Sequence, residues 1–110
     1  MKLRHTLLLT ALSLTAGAAF GATAAENWDN YCAKCHGPNG AGKTVIGKKL
    51  KLKDYTDDAV QAAMKDDDMF KATKDGVKDE SGKERMKPYK ADLSDAEINE
   101  LVAHIRKMKK

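Results

Sequence analysis

The sequence has few of the residues that build a hydrophobic core. Aromatic residues make up 5% of its 110 positions, whereas charged residues make up 33%. A small domain buries a modest fraction of its surface, and one with little apolar bulk usually needs a disulfide, a metal or another staple. The composition therefore predicts that something other than side chains fills the centre of this domain.

Net charge is also small. The formal value is +4 at pH 7, and two of the positive charges, Lys2 and Arg4, lie within the first five residues. Domains that bind nucleic acid carry clustered positive charge with interleaved aromatic residues. A balance this mild, with so few aromatic residues, argues against a nucleic-acid partner.

The first quarter of the chain is typical of an export signal. Lys2 and Arg4 precede a nearly apolar run at positions 7–14, and Ala22-Thr23-Ala24 provides the small residues of a cleavage motif. An alternative is an uncleaved membrane anchor, although Thr, Ser and Gly dilute the apolar run.

We predict a signal peptide over residues 1–24, cleaved near Ala24/Ala25, and a single mature domain over residues 25–110. Export predicts a soluble periplasmic protein. It also places the cysteines in an oxidising compartment.

The chain has only two cysteines, and both lie in the stretch YCAKCHGPNG at residues 31–40. Cys32 and Cys35 are three positions apart, so a disulfide between them would close a very small loop. Such a loop removes little entropy from the unfolded chain. A structural disulfide therefore explains the pair poorly.

Three other interpretations of this motif remain. A thioredoxin-type redox pair belongs at a strand-to-helix junction, but no strand-like run precedes Cys32. A structural zinc site needs four ligands; Cys32, Cys35, His36 and His104 would supply them, without the usual paired spacing. The third interpretation, which the sequence favours, is the haem-attachment pattern Cys-x-x-Cys-His. On a helix its three side chains share one face, so two thiols can meet two vinyl groups while the imidazole reaches iron.

The remaining patterns predict helices and no strand. The last helix has the strongest signals: Ser94 and Glu97 form a capping box, and Leu93 and Ile98 a hydrophobic staple. Its apolar stripe comprises Ile98, Leu101, Val102, Ile105 and Met108. Other helices are predicted at 27–34, from a Thr56 cap to Met64, and at 66–75 with a left-handed Gly76 cap, and residues 40–52 are predicted as a loop.

Four features occur in a characteristic order. Trp28 stands four positions before Cys32, and CAKCHG, GKKL and MKPY follow at residues 32–37, 47–50 and 86–89. This set resembles the class I c-type cytochromes, which are small, helical, single-haem electron carriers. The resemblance implies an all-α, cytochrome c-like fold with about four short helices and long loops around one covalently bound haem. It also implies that the last helix packs across the first, near Trp28.

The resemblance further implies that His36 and Met86 bind the haem iron. In this family the distal ligand is a loop methionine followed closely by proline and an aromatic residue, as Met86 is by Pro88 and Tyr89. Met86 also stands in a polar stretch, GKERMKPYK, where a core methionine has little to pack against. The other mature methionines, Met64, Met69 and Met108, have helical positions that explain them as core.

One position departs from the family pattern. Lys48 stands where proline commonly follows the loop glycine and where the proline carbonyl accepts the proton of the haem-binding histidine. The Lys48 carbonyl can serve equally well, so we expect a hydrogen bond from His36 to it. Lysine does not fix φ, so the loop loses rigidity.

With both axial positions of the iron filled, no place is left for a substrate and the iron can only change valence. The sequence therefore predicts a monomeric one-electron carrier, not an enzyme, that docks with a redox donor and an acceptor at a basic haem rim. Any membrane contact would be through a partner or an uncleaved signal. The lysines expected in the rim are Lys43, Lys48, Lys49, Lys51, Lys53, Lys83, Lys87 and Lys90.

Two other functions remain open. One is a haem-based sensor or enzyme that binds gases or peroxide when the bond to Met86 opens. The other is a haem-free thiol oxidoreductase that uses Cys32 and Cys35.

Overall fold

The structure is a computed structural model that describes residues 21–110. Positions 1–20 of the predicted signal peptide lie outside the described residues, and its cleavage stays a prediction. Helices dominate, which confirms the predicted all-α class, and none in the described part is long and apolar enough to cross a membrane. The helices are α1 (Ala24–Asn27), α2 (Ala33–His36), α3 (Val45–Leu50), α4 (Asp58–Ala63), α5 (Asp66–Asp75) and α6 (Asp95–Arg106), and the strands are β1 (Val77–Lys78) and β2 (Glu84–Met86).

The first helical stretch is longer than predicted. It runs from α1 through a π-helical segment, Trp28–Cys32, into α2, and it ends at Gly37, whose φ is 85°. The side chain of Thr23 caps α1 and forms a capping box with Glu26. A cut near Ala24/Ala25 would therefore remove this cap.

Helix α6 begins where the sequence predicts, after the Ser94 cap. The Ser94 hydroxyl accepts from the Glu97 backbone at 3.1 Å, and the Glu97 carboxylate accepts from the Ser94 backbone at 3.0 Å. Leu93 and Ile98, the predicted staple, are both buried. The helix packs against α5 and α1, where the rings of Trp28 and His104 lie 5.9 Å apart. This contact confirms the predicted crossing of the last helix over the first.

The buried apolar side chains of residues 21–110 are few, as the composition predicted. They form one cluster in which α6 contributes the most members. The buried apolar residues are Trp28, Cys32, Met69, Leu93, Ile98, Leu101, Val102 and Ile105.

The prediction of a loop over residues 40–52 is wrong at α3. The Thr44 hydroxyl accepts from the backbone of Gly47 at 2.8 Å and donates to the Cys35 carbonyl, so it caps α3 and ties it to α2. Lys51, with φ of 56°, ends the helix. Because Val45, Ile46 and Gly47 have low helix propensity, the local sequence hid this helix.

Helix α5 matches its predicted range, and the cap of α4 differs from the prediction. Asp57 rather than Thr56 caps α4, accepting from Ala59 at 2.8 Å. Thr56 is buried and instead donates to Asp54 at 2.6 Å. The helix ends before Met64, whose backbone is extended. Gly76 ends α5 with a positive φ of 78°, but its ψ of 179° is not left-handed helical.

The prediction that no strand is needed is also wrong. Strands β1 and β2 pair antiparallel, with Val77 opposite Met86 and Lys78 opposite Glu84. Asp79 organises the turn between them by accepting hydrogen bonds from the backbones of Ser81 and Lys83, each at 2.9 Å. A polar ribbon this short has no alternating apolar pattern, so its sequence is typical of a loop.

Candidate haem site

The two cysteines lie at the junction of the π segment and α2. Cys32 is buried, Cys35 is half-buried, and both are free thiols. Burial, and to a lesser degree the nearby Cys35, raises the pKa of the Cys32 thiol to about 11. Redox-active dithiols need a thiolate with a lowered pKa. This environment therefore argues against the thiol oxidoreductase alternative.

His36 is held by aromatic packing. Its ring stacks on Tyr55, with 5.3 Å between centroids and 20° between planes, and lies 5.7 Å from Trp28. Burial lowers the pKa of the imidazole and so favours the neutral form, which is the form that binds metals. The Nδ1 atom is buried and has no hydrogen-bond partner in the described structure. Such an orphaned atom is rare in folded proteins and calls for an explanation in function.

The expected hydrogen bond from His36 to the Lys48 carbonyl is not formed. Residues 47–50 lie in α3, and the Lys48 carbonyl accepts from the backbone of Lys51 at 3.3 Å instead. This segment instead packs closely against α2. A Cβ on Gly47 would lie 2.7 Å from the Cys35 carbonyl oxygen, so only glycine lets α3 lie directly on α2.

Three cavities adjoin around His36 and Met86, with volumes of about 210, 800 and 180 Å³, and the largest is open to solvent between exposed residues such as Lys78 and Glu80. Among the described residues, only His36 and Met86 line all three. Cys32 and Cys35 both line the smallest, and Cys32 also lines the one of about 210 Å³. The structure thus brings the four predicted site residues to one connected space.

Met86 is one of three methionines at this space. Met64 and Met69 line the cavity of about 210 Å³ together with His36. Met69 is buried in the core as predicted. Met64, predicted as the last residue of a helix, is half-buried on extended backbone just after α4. Met108, half-buried, lines none of the three cavities.

Tyr55 and Arg85 also belong to the site, although the sequence pattern did not indicate them. Tyr55 lies in a connecting segment where nothing in the local sequence predicts its stacking on His36. Arg85, next to Met86 on β2, donates to the Leu50 carbonyl at the end of α3. Both contacts join residues far apart in sequence, so only the folded chain shows them.

The eight lysines of the predicted rim are all exposed. Lys51 and Lys53 line the largest cavity and Lys87 the smallest. Lys87 also pairs with Asp92 at 3.5 Å. His104 is half-buried on α6, packs against Trp28 and lines none of the three cavities.

Comparison with known proteins identifies the family. The sequence model of the family described as cytochrome c oxidase, cbb3-type, subunit III matches residues 19–105. The chain belongs to this family of c-type cytochromes. No curated protein matches the chain.

Solved structures of c-type cytochromes share the fold. The KustC0563 c-type cytochrome is 26% identical, with a TM-score of 0.69, and the alignment covers 81% of this chain and 100% of that one. A tyrosine-to-phenylalanine mutant of Kustc0563 is 24% identical, with a TM-score of 0.66 and coverage of 80% and 100%. The likeness to the mutant shows the fold alone.

Family membership indicates haem-based electron transfer and implies a covalently bound haem c. This cytochrome has two cysteines, and both fall in a Cys-x-x-Cys-His pattern. The residues present fit such a group, because a neutral buried imidazole and a thioether share a largely apolar space beside two free thiols.

Proposed function

We propose that this cytochrome is a one-electron carrier in which Cys32 and Cys35 would hold haem c through thioether bonds and His36 and Met86 would bind its iron. The bound haem supplies an iron that alternates between the ferrous and ferric states. The observation that carries the proposal is that only His36 and Met86, among the described residues, line all three adjoining cavities.

The surrounding side chains orient His36 and raise the reduction potential of such a site. Trp28 and Tyr55 orient the His36 ring by packing, in place of the hydrogen bond that Lys48 does not provide. A thioether ligand from Met86 favours the reduced metal and raises the reduction potential. Leu101 and Ile105 give the cavity an apolar wall, which disfavours the additional charge of the oxidised state.

A carrier explains the site better than a gas-binding sensor or an enzyme. With His36 and Met86 both bound, the iron keeps no free position for a substrate. The segment that follows Met86 is held to α5 by backbone hydrogen bonds from Tyr89 to Thr73 at 3.0 Å and from Lys90 to Lys74 at 3.2 Å. These contacts favour a retained ligand over a labile one.

The proposed partners are exported or membrane-bound redox proteins in the periplasm, one donor and one acceptor. Helix α3 presents Val45, 87% exposed, and Ile46, 36% exposed, next to the exposed Lys48 and Lys49. A small apolar contact with a charged border suits complexes that form and separate quickly.

The ligand assignment is tested by optical spectra of both oxidation states and by the reduction potential of the haem-loaded protein. Met86→Leu keeps the side-chain volume and removes the sulfur, and Met64→Leu and Met69→Leu are matched controls because they line the same cavity. We expect Met86→Leu alone to lose the sulfur-to-iron absorption band, to lower the potential and to bind carbon monoxide. Loss of the band in either control would transfer the ligand role to that methionine.

Covalent attachment is tested by the mass of protein exported in cells competent for haem attachment. We expect the mass of one haem on the chain and no free thiols. An unmodified mass with two titratable thiols would favour the thiol oxidoreductase alternative.

A further inference from the structure

One side-chain hydrogen bond joins the helical turn that carries Cys32, Cys35 and His36, here called the attachment turn, to the segment that follows Met86. The Tyr89 hydroxyl donates to the Tyr31 carbonyl oxygen at 2.9 Å, across 58 residues of sequence. Tyr31 lies in the π segment directly before Cys32, and Tyr89 lies three residues after Met86. We call this contact the tyrosine latch, defined as the Tyr89 side chain and the Tyr31 carbonyl.

Two side chains pack against the Tyr89 ring. The ring of Tyr31 meets it edge-on at 5.8 Å, and the ammonium of Lys87 lies 4.9 Å from its centroid. Both tyrosines line the cavity of about 180 Å³ together with Cys32, Cys35, His36 and Met86. The latch therefore forms part of the wall of the haem site.

Little flexible chain separates the latch from Met86. Only Lys87 and Pro88 intervene, and proline fixes its own φ. The backbone of Gly76 packs closely against this segment, since a Cβ on Gly76 would lie 2.6 Å from the Met86 carbonyl oxygen and 2.8 Å from the Pro88 nitrogen. Movement of this short segment would carry Met86 out of the cavity, and the latch opposes that movement.

We propose that Tyr89 is a positioning residue for Met86, and that the tyrosine latch sets how fast the Met86 thioether leaves the iron. The proposal rests on the proposed function, in which Met86 is the axial ligand. The attachment turn itself thus holds the distal ligand, through a hydrogen bond to the residue before the first cysteine.

Two matched variants of the haem-loaded protein test the latch. Tyr89→Phe keeps the ring and removes the hydrogen bond, whereas Tyr31→Phe removes a hydroxyl from the same pair of rings and leaves the backbone acceptor intact. The measurement is the rate at which imidazole displaces Met86 from the oxidised protein, followed by loss of the sulfur-to-iron band. We expect the rate in Tyr89→Phe to rise roughly five-fold, the factor that one ordinary hydrogen bond is worth, and the rate in Tyr31→Phe to match the wild type.

The outcomes separate positioning from general stability. Unfolding by guanidinium, measured on both variants, establishes that each is fully folded under the conditions of the displacement measurement, so that a faster rate in Tyr89→Phe reports the local contact. Wild-type rates in Tyr89→Phe, or equal acceleration in both variants, would overturn the latch and leave Met86 as the ligand. If Met86→Leu leaves the spectrum unchanged, the ligand assignment fails, and the latch proposal fails with it.

Discussion

The indole Nε1 of Trp28 donates a buried hydrogen bond to the carbonyl oxygen of Gly37 at 3.0 Å. Trp28 begins the π segment, and Gly37 directly follows α2. This single bond therefore joins the two ends of the helical turn that carries Cys32, Cys35 and His36. An aromatic residue four positions before the first cysteine serves as a brace for the attachment turn.

We expect Trp28→Phe to lower the free energy of unfolding of the haem-loaded protein by about 2–4 kcal/mol, because it leaves a buried acceptor unpaired and a gap in the core. Guanidinium unfolding measures the change. Tyr55→Phe is the control, since the Tyr55 hydroxyl makes no hydrogen bond within residues 21–110, and we expect it to cost less than about 1 kcal/mol. Equal losses in the two variants would show that the bond to Gly37 is unimportant.

Gly76 and Gly82 allow the contact beneath Met86 to be tested separately from backbone strain. Both have a positive φ, 78° and 83°, but a Cβ on Gly76 would collide with the Met86 carbonyl whereas one on Gly82 would meet nothing within 4 Å. We expect alanine at either position to cost roughly 1–2 kcal/mol through φ. Gly76→Ala alone should also weaken the sulfur-to-iron band and lower the potential. The same band and potential in both variants would mean that the Gly76 contact does not position the ligand.

We expect Gly47→Ala to destabilise the protein, although a change from glycine to alanine usually stabilises a helix. Elsewhere in a helix the change from glycine to alanine stabilises by roughly 0.5–1 kcal/mol. In α3 a Cβ would lie 2.4 Å from the Gly42 carbonyl oxygen and 2.7 Å from that of Cys35, so we expect a loss of about 1–3 kcal/mol. Thermal unfolding and the fraction of chains carrying haem measure it, with Lys48→Ala in the same helix as control. A stabilised Gly47→Ala would contradict the packing described.

Glu97 should make stability depend on pH in the acid range. Hydrogen bonds from the Ser94 backbone and then from the Asn27 side chain hold the pKa of Glu97 below its ordinary value of 4.5. Because the folded pKa is the lower one, this stabilisation is complete above about pH 4.5 and is lost as the pH falls through the folded pKa. Glu97→Gln should therefore be less stable than wild type at neutral pH, and the difference should shrink in acid.

Guanidinium unfolding between about pH 3 and pH 7 checks the prediction for Glu97. Glu100→Gln is the control, because Glu100 is an exposed glutamate on the same helix. A difference between wild type and Glu97→Gln that stays constant across this range would show that the carboxylate charge does not contribute.

Features with a local cause could be predicted from the sequence. The start of α6 follows from Ser94 and Glu97, which interact within one turn, and the range of α5 follows from three first-turn aspartates and Gly76. The thiols and imidazole of the candidate site follow from five consecutive residues. The prediction that Met86 lies near His36 rested on the resemblance to class I c-type cytochromes and not on any pattern within β2.

Features with a tertiary cause could not be predicted in this way. Helix α3 exists because Thr44 caps it and Gly47 lets it rest on α2, although its first three residues have low helix propensity. The same helical geometry turns the Lys48 carbonyl away from His36, so the orienting role passes to two aromatic rings distant in sequence. The short ribbon leaves no signature because its strands have two and three residues and are largely exposed.

The turn between β1 and β2 is a suitable site for inserting a peptide. It is closed by its own hydrogen bonds to Asp79, and Gly82 faces open space, so an insertion beside Gly82 disturbs little else. Asp79, Glu80 and Ser81 nevertheless border the largest of the three adjoining cavities. A surface-binding peptide inserted at this turn would attach the protein to an electrode in one orientation. The largest cavity would then face the electrode surface.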